Sequence, residues 1–210
     1  MIGRGRFIAL EGGEGTGKST QAWLLAEALD KRGIDCITTR EPGGTPGAEA
    51  IRALLLDPAL PQWETSAEAL LFAAARSDHV AHLIKPALAT GRWVICDRYV
   101  DSSLAYQGGA GLLGEAAIRA LHQVGSNGLL PDRTLLLEVD PQATAARIRA
   151  RDGDVADKIG GRGVAFHRDV AEAFAQLAMS EPKRFRRIDA SGAADAVHAL
   201  ILHALGDLLP

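Results

Sequence analysis

The sequence is poor in the features that mark most specialised protein classes. Among its 210 residues are two cysteines, Cys36 and Cys96. That is too few for a disulfide framework, and each sits in an apolar run where a thiol behaves as a small hydrophobe, so both are expected to be reduced core residues. No apolar run approaches the ~20 residues needed to cross a bilayer, and the start, Met1-Ile-Gly-Arg-Gly-Arg6, lacks the hydrophobic stretch of a signal peptide. A cytosolic protein without membrane association is expected. Charge of one sign is also scarce: 23 Lys and Arg against 26 Asp and Glu leave a net charge of −3. No basic block outgrows dipeptides such as Lys183-Arg184 and Arg186-Arg187, and no aromatic strip accompanies them, which disfavours a nucleic-acid partner. Asparagine occurs once, at Asn127, followed by Gly128 and Leu129, so the N-K-x-D element with which a switch GTPase reads guanine is missing. The six histidines are scattered without metal-ligand spacing, His79 and His82 included, and predict no zinc site.

What is present suits a single globular domain spanning 1–210, with 47% hydrophobic residues and no repeat, acidic tail or Ser/Pro linker to divide it. Extended apolar segments at 6–11, 35–39, 93–97, 134–139 and 185–189 alternate with helical ones. This pattern predicts an α/β fold with a doubly wound, five-stranded parallel sheet and helices on both faces. The first helix carries Ala22, Leu25, Ala26 and Leu29 at core spacing and should stop near Gly33; the last carries Ala194, Val197, Ile201, Leu205 and Leu208. An Ala-rich helical stretch runs from Ser66 to Gly91, with Pro86 expected to kink it. The polar, glycine-bearing stretch 151–163 reads as a mobile surface segment.

The densest chemical signal is Gly12-Gly-Glu-Gly-Thr-Gly-Lys-Ser19, which fits G-x-x-x-x-G-K-[ST] and stands between the first apolar run and the first helix. Such a loop curls so that backbone N–H groups point inward and cradle phosphate, with Lys18 reaching the β/γ-phosphates and Ser19 offering its hydroxyl to Mg²⁺. Gly12, Gly13, Glu14, Gly15, Thr16, Gly17, Lys18, Ser19 and Thr20 are thus candidate contacts of a nucleoside triphosphate. In a doubly wound sheet, ligands gather beyond the carboxyl ends of the strands, and there the sequence places Arg40-Glu41, Asp97-Arg98 and Asp189-Ala-Ser191. Asp97, closing four apolar residues, is the candidate carboxylate for Mg²⁺. The fourth strand leads through Pro141 into a helix bearing Arg147, Arg149 and Arg151, of which 147 and 151 share a face. Phosphoryl transfer needs cations over the moving group and Glu14 supplies none, so a lid that brings these arginines in is expected. Phe72 and Arg76, one helical turn apart, could stack a base and bond its edge; by themselves they read first as a core Phe beside a surface Arg.

Together, the segments Glu11–Thr20, Thr39–Thr45, Leu71–Arg76, Lys85–Leu88 and Asp97–Gly108 resemble the thymidylate kinase family over essentially the whole chain, in order and spacing. The resemblance implies a P-loop nucleoside monophosphate kinase-like fold with a short mobile lid at roughly 147–165. It implies phosphorylation of dTMP to dTDP with ATP as co-substrate and Mg²⁺, in dTTP biosynthesis, by a cytosolic homodimer joined through the Ala-rich helices and their neighbour. Carried onto matching positions, it implies that Phe72 stacks on thymine, Arg76 bonds a base carbonyl, and Ser103 and Gln107 lie near the base. It also implies that Tyr106 crowds the sugar's 2′ position, Arg98 and Arg40 meet the dTMP phosphate, and Glu14 lies near the sugar hydroxyl. The phosphate loop lacks an arginine, which matches the branch whose catalytic arginine lies in the lid, here Arg151 with Arg147 beside it. Relatives continue with a D-R-x-E-like run, where this chain has Asp157-Lys158-Ile159-Gly160 and lacks the glutamate. A kinase for another nucleoside monophosphate or for a deoxynucleoside is the alternative.

Overall fold

The computed structural model describes residues 4–139 and 159–209. Strands β1 (Phe7–Glu11), β2 (Cys36–Arg40), β3 (Trp93–Asp97), β4 (Arg133–Glu138) and β5 (Phe185–Asp189) form one sheet in the order β2-β3-β1-β4-β5. Every pairing is parallel. The expected strands are all present, β3 and β5 with the expected bounds: β1 starts one residue later, β2 and β4 each slide by one, and β2 ends on Arg40 rather than Thr39.

Alternation along each strand builds two cores, because successive side chains point to opposite faces. On one face Ile8, Leu10, Ile95, Leu135 and Ile188 pack with Leu25 and Leu29 of α1 (Lys18–Asp30) and with Val197 and Ile201 of the C-terminal helix Ala194–Ala204. On the other face Phe7, Ala9, Val94, Cys96 and Leu136 meet the intervening helices. The helices there are α2 (Pro46–Leu56), α3 (Thr65–His79), α4 (Lys85–Ala89), the short α5 (Val100–Ser103), α6 (Glu115–Ser126) and α7 (Val164–Ser180). The C-terminal helix is α8. Gly33 closes the turn after α1 at φ 71, where the Ile34 N–H bonds the Leu29 carbonyl at 3.0 Å, the left-handed geometry that glycine adopts without cost.

Two widened turns interrupt the helical layer. Val80–Ile84 forms a π turn between α3 and α4, immediately before Pro86; a proline ring presses on the carbonyl four residues earlier and donates no N–H, so the preceding turn opens. Leu104–Ala110 forms the second, directly after α5, and carries Tyr106 and Gln107. Cys36 is half-buried and Cys96 buried, both as free thiols. Among the described residues no helix is long and apolar enough to cross a membrane. The expected arginine-bearing helix, with Arg147, Arg149 and Arg151, lies outside the described residues. Of the expected lid, 164 and 165 already belong to α7.

Candidate active site

The strand register brings the carboxyl ends of β1, β2 and β3 level, with Leu10 and Arg40 both opposite Asp97. A cavity of about 470 Å³ opens there. Its floor is the phosphate loop. Gly12 at φ 136 and Gly17 at φ 89 adopt conformations that L side chains rarely hold, and a Cβ at Gly12 would lie 2.3 Å from the Leu137 carbonyl oxygen. Gly17 caps α1 with no side chain, so the first amide groups of that helix carry their partial positive charge towards the loop. Lys18 folds back over it, donating to the carbonyls of Gly13 at 2.6 Å and Gly12 at 3.3 Å. Burial, and after it the Arg98 guanidinium, bring its ammonium down to about 8. The Ser19 hydroxyl donates to Asp97 Oδ2 at 2.5 Å, joining the helix start to the end of β3. Thr20 also lines the cavity, whereas Thr16 is buried against the Gly13 carbonyl at 3.1 Å.

Arg98 stands between the two halves of the site. Its φ of 68 turns the chain sharply off β3, and Glu11 holds that turn by accepting from the Tyr99 N–H at 2.8 Å, the Ser102 N–H at 3.1 Å and the Ser102 hydroxyl at 2.6 Å. Burial, then the Asp101 carboxylate, push Glu11 up to about 7. The Arg98 guanidinium bonds the Gly12 carbonyl at 2.9 Å, Ser102 Oγ at 3.1 Å and Glu14 Oε1 at 2.5 Å, and lies 5.2 Å from the centre of the Tyr106 ring. Burial opposes its charge, but Tyr106 and the carboxylates of Glu14, Glu11 and Asp97 more than offset this, and Arg98 stays protonated. Glu14, placed near a sugar hydroxyl by resemblance, here faces Arg98.

The far half is the pocket around Phe72, Arg76, Ser103, Tyr106 and Gln107, all on the cavity wall. Arg76 is far from being a surface arginine. It is 3% exposed and gives Nε to Glu41 at 2.8 Å and Nη2 to Ser103 Oγ at 2.8 Å. Gln107 donates to Glu68 at 2.7 Å, and the other Glu68 oxygen takes Arg162. The Tyr106 hydroxyl is buried with no hydrogen-bond partner among the described residues, and the ring meets Phe166 and Phe174 edge-on at 6.1 and 6.3 Å. Arg40 reaches the cavity from β2 but is half-exposed and paired with Glu49 at 3.0 Å.

Several participants were given no individual site role from the sequence. Glu41, His79, Glu68, Arg162 and Ile159 either line the pocket or hold residues that do. The peptide between Glu41 and Pro42 is cis. No local pattern marked His79, which is completely buried against Glu41.

The sequence model of the thymidylate kinase family matches residues 10–201. The chain belongs to the thymidylate kinase family. A thymidylate kinase of Rhizorhabdus wittichii is 58% identical over 207 residues, covering 98% of this chain and 99% of its own. One from a Bradyrhizobium species is 45% identical over 208 residues, covering 99% and 92%. The crystal structure of thymidylate kinase from Ehrlichia chaffeensis superposes with a TM-score of 0.77 at 30% identity, covering 96% of this chain and 99% of that one. Membership makes this chain a nucleoside monophosphate kinase, a phosphotransferase built on an α/β fold with an all-parallel sheet.

Proposed function

We propose that the chain transfers the γ-phosphoryl group of ATP to dTMP, giving ADP and dTDP for dTTP synthesis. One observation carries this reading: a single cavity joins the phosphate loop with Lys18 and Ser19 to a pocket with Phe72, Arg76 and Gln107, and Arg98 stands between them. Donor phosphates at one end and a base at the other would place the acceptor phosphate beside Arg98. An anionic acceptor competes with Glu14 for that guanidinium, so binding it frees Glu14 to turn towards the sugar. Lys18 and Arg98 then supply fixed positive charge where it is needed as the phosphoryl group moves. Arg40, released from Glu49, is a further contact for the acceptor phosphate, and Arg151 with Arg147 are the lid cations of the reading.

Ser19 and Asp97 offer hard oxygen donors in mutual contact at 2.5 Å, which fits Mg²⁺. Among the described residues no three His, Cys, Asp or Glu side chains group to hold a metal by themselves, so the remaining ligands would be phosphate oxygens and water. Bound there, Mg²⁺ would neutralise charge on the donor phosphates. We further propose one kinase domain over 1–210, a cytosolic location, no nucleic-acid partner, and a homodimer. Leu54, Leu70 and Val124, exposed on the neighbouring helices α2, α3 and α6, support the dimer. The small residues of α3 support it less, because Ala73 and Ser77 are used within the chain: a Cβ at Gly125 of α6 would already lie 3.4 Å from each.

A panel of phosphate acceptors, dTMP, dCMP, dGMP, dAMP and thymidine, assayed with ATP and Mg²⁺ tests the reading. Turnover with dTMP at least tenfold above every other acceptor is expected; preference for another acceptor would establish the alternative kinase.

A further inference from the structure

Behind the base pocket, a line of hydrogen bonds runs from β2 to the cavity wall. Thr39 Oγ1 lies 2.8 Å from His79 Nε2, and His79 Nδ1 lies 3.0 Å from Glu41 Oε1. The other oxygen of Glu41 accepts from Arg76 Nε at 2.8 Å, and Arg76 Nη2 donates to Ser103 Oγ at 2.8 Å. His79 is 0% exposed and Glu41 5%. A carboxylate only accepts, so a proton on Nδ1 is directed at Glu41, and in the neutral ring Nε2 accepts from the Thr39 hydroxyl. Gly44 packs close against the ring, and a Cβ there would fall 2.6 Å from His79 Nε2. Arg76 Nη1 makes no hydrogen bond among the described residues and remains for a ligand in the cavity that Arg76 lines.

We propose that His79 is a positioning residue for base selectivity, fixing the plane of the Arg76 guanidinium through Glu41 so that the spare N–H edge meets a pyrimidine carbonyl and rejects the amino group cytosine carries instead. This rests on the reading of Arg76 as the base contact. The physical argument is that Glu41 has one oxygen committed to each neighbour. Without His79, Oε1 is a buried acceptor with no donor, a costly state. The carboxylate then turns to take two nitrogens of Arg76 in the bidentate geometry such pairs favour, and the guanidinium swings off Ser103. The base pocket loses its aimed donor while the phosphate loop, on the far side of Arg98, is untouched.

The test compares kcat/KM for dTMP and dCMP in His79→Leu, His79→Asn and Arg76→Lys, together with KM for ATP and the urea unfolding midpoint. Asparagine can place an amide donor near the position of Nδ1, leucine cannot. His79→Leu should lower the dTMP to dCMP ratio roughly tenfold, mainly through KM for dTMP, with KM for ATP unchanged; His79→Asn should restore most of the ratio, and Arg76→Lys should lower it as much as leucine at 79. A ratio unchanged in His79→Leu but lowered in Arg76→Lys overturns the positioning role alone. A ratio unchanged in both overturns the base contact by Arg76 and the positioning role with it. Equal proportional losses for both acceptors in His79→Leu, with no recovery in His79→Asn, also overturn it, because they indicate packing alone. If His79→Leu does not fold, Thr39→Val, which removes only the partner of Nε2, should lower the ratio roughly twofold to fivefold, and no change there overturns the proposal.

Discussion

If Lys18 meets the donor phosphates as proposed, it ties nucleotide binding to pH in a way that can be counted in protons. Lys18 is 7% exposed. Burial first, and the Arg98 guanidinium second, lower it from the ordinary 10.5 to about 8, against the opposing pull of Asp97, Glu14 and Glu11. Roughly a tenth of the Lys18 side chains are therefore neutral at pH 7, roughly half at pH 8 and roughly nine tenths at pH 9. A triphosphate in the loop puts anionic oxygens against the ammonium and returns its pKa to the ordinary range or above. The sign follows: the bound state holds more protons, so binding takes them up, by roughly 0.1 per nucleotide at pH 7, 0.5 at pH 8 and 0.9 at pH 9. Titration calorimetry with an ATP analogue, run at each pH in two buffers of different ionisation enthalpy, measures this directly. Lys18→Met should abolish the rise between pH 8 and 9. Uptake that stays flat from pH 7 to 9, or persists unchanged in Lys18→Met, would refute the burial argument.

Three substitutions probe other parts of the account. Phe72→Ala should weaken dTMP binding by about 1–3 kcal/mol, the scale of base–aromatic stacking, with the ATP-analogue affinity unchanged; equal losses in separate titrations of the two ligands would assign Phe72 to the core alone. Tyr106→Ala should narrow the ratio of kcat/KM between dTMP and its ribose counterpart by roughly tenfold, since the ring denies a 2′-hydroxyl both room and a partner; Tyr106→Phe, which keeps the ring, should retain the ratio. Asp101→Ala should lower the unfolding free energy by about 3–5 kcal/mol. Asp101 is 0% exposed and bonds both terminal nitrogens of Arg184 at 2.5 and 2.8 Å, and the surviving Arg184–Glu181 contact at 2.8 Å favours the lower end. Less than about 1 kcal/mol in urea unfolding would contradict that pairing.

The sheet and the phosphate loop were legible in the sequence because both are written contiguously. Four apolar residues followed by Asp97, or eight residues of a glycine-rich loop before a helix, carry their own geometry. Edges were less legible: β2 continues to Arg40 because that residue still pairs with Asp97 of β3, a partner far away in the chain. The support of the base pocket was illegible for the same reason. Arg76 and Glu41 are 35 positions apart and Arg162 and Glu68 94, and a polar residue whose partner is that distant looks locally like any solvated helix position. His79 is the sharpest case, since burial alone distinguishes it from the exposed His82 three residues on. The small residues of α3 were read as a surface for a second helix, and part of that surface meets Gly125 of α6 within the chain, at the Ala73 carbonyl and Ser77 Cβ.

One cavity is proposed to hold a thymine nucleotide at Phe72 and Arg76 and donor phosphates over Lys18. The most direct measurement is a crystal structure of the chain with dTMP and a non-hydrolysable ATP analogue bound together. The expected arrangement is the thymine ring stacked on Phe72, a base carbonyl within hydrogen-bond reach of Arg76, the dTMP phosphate at Arg98 with Glu14 displaced from it, and the β- and γ-phosphates in the loop of Gly12–Ser19. Thymine bound away from Phe72, or an Arg98 still paired with Glu14 while both nucleotides are in place, would contradict it.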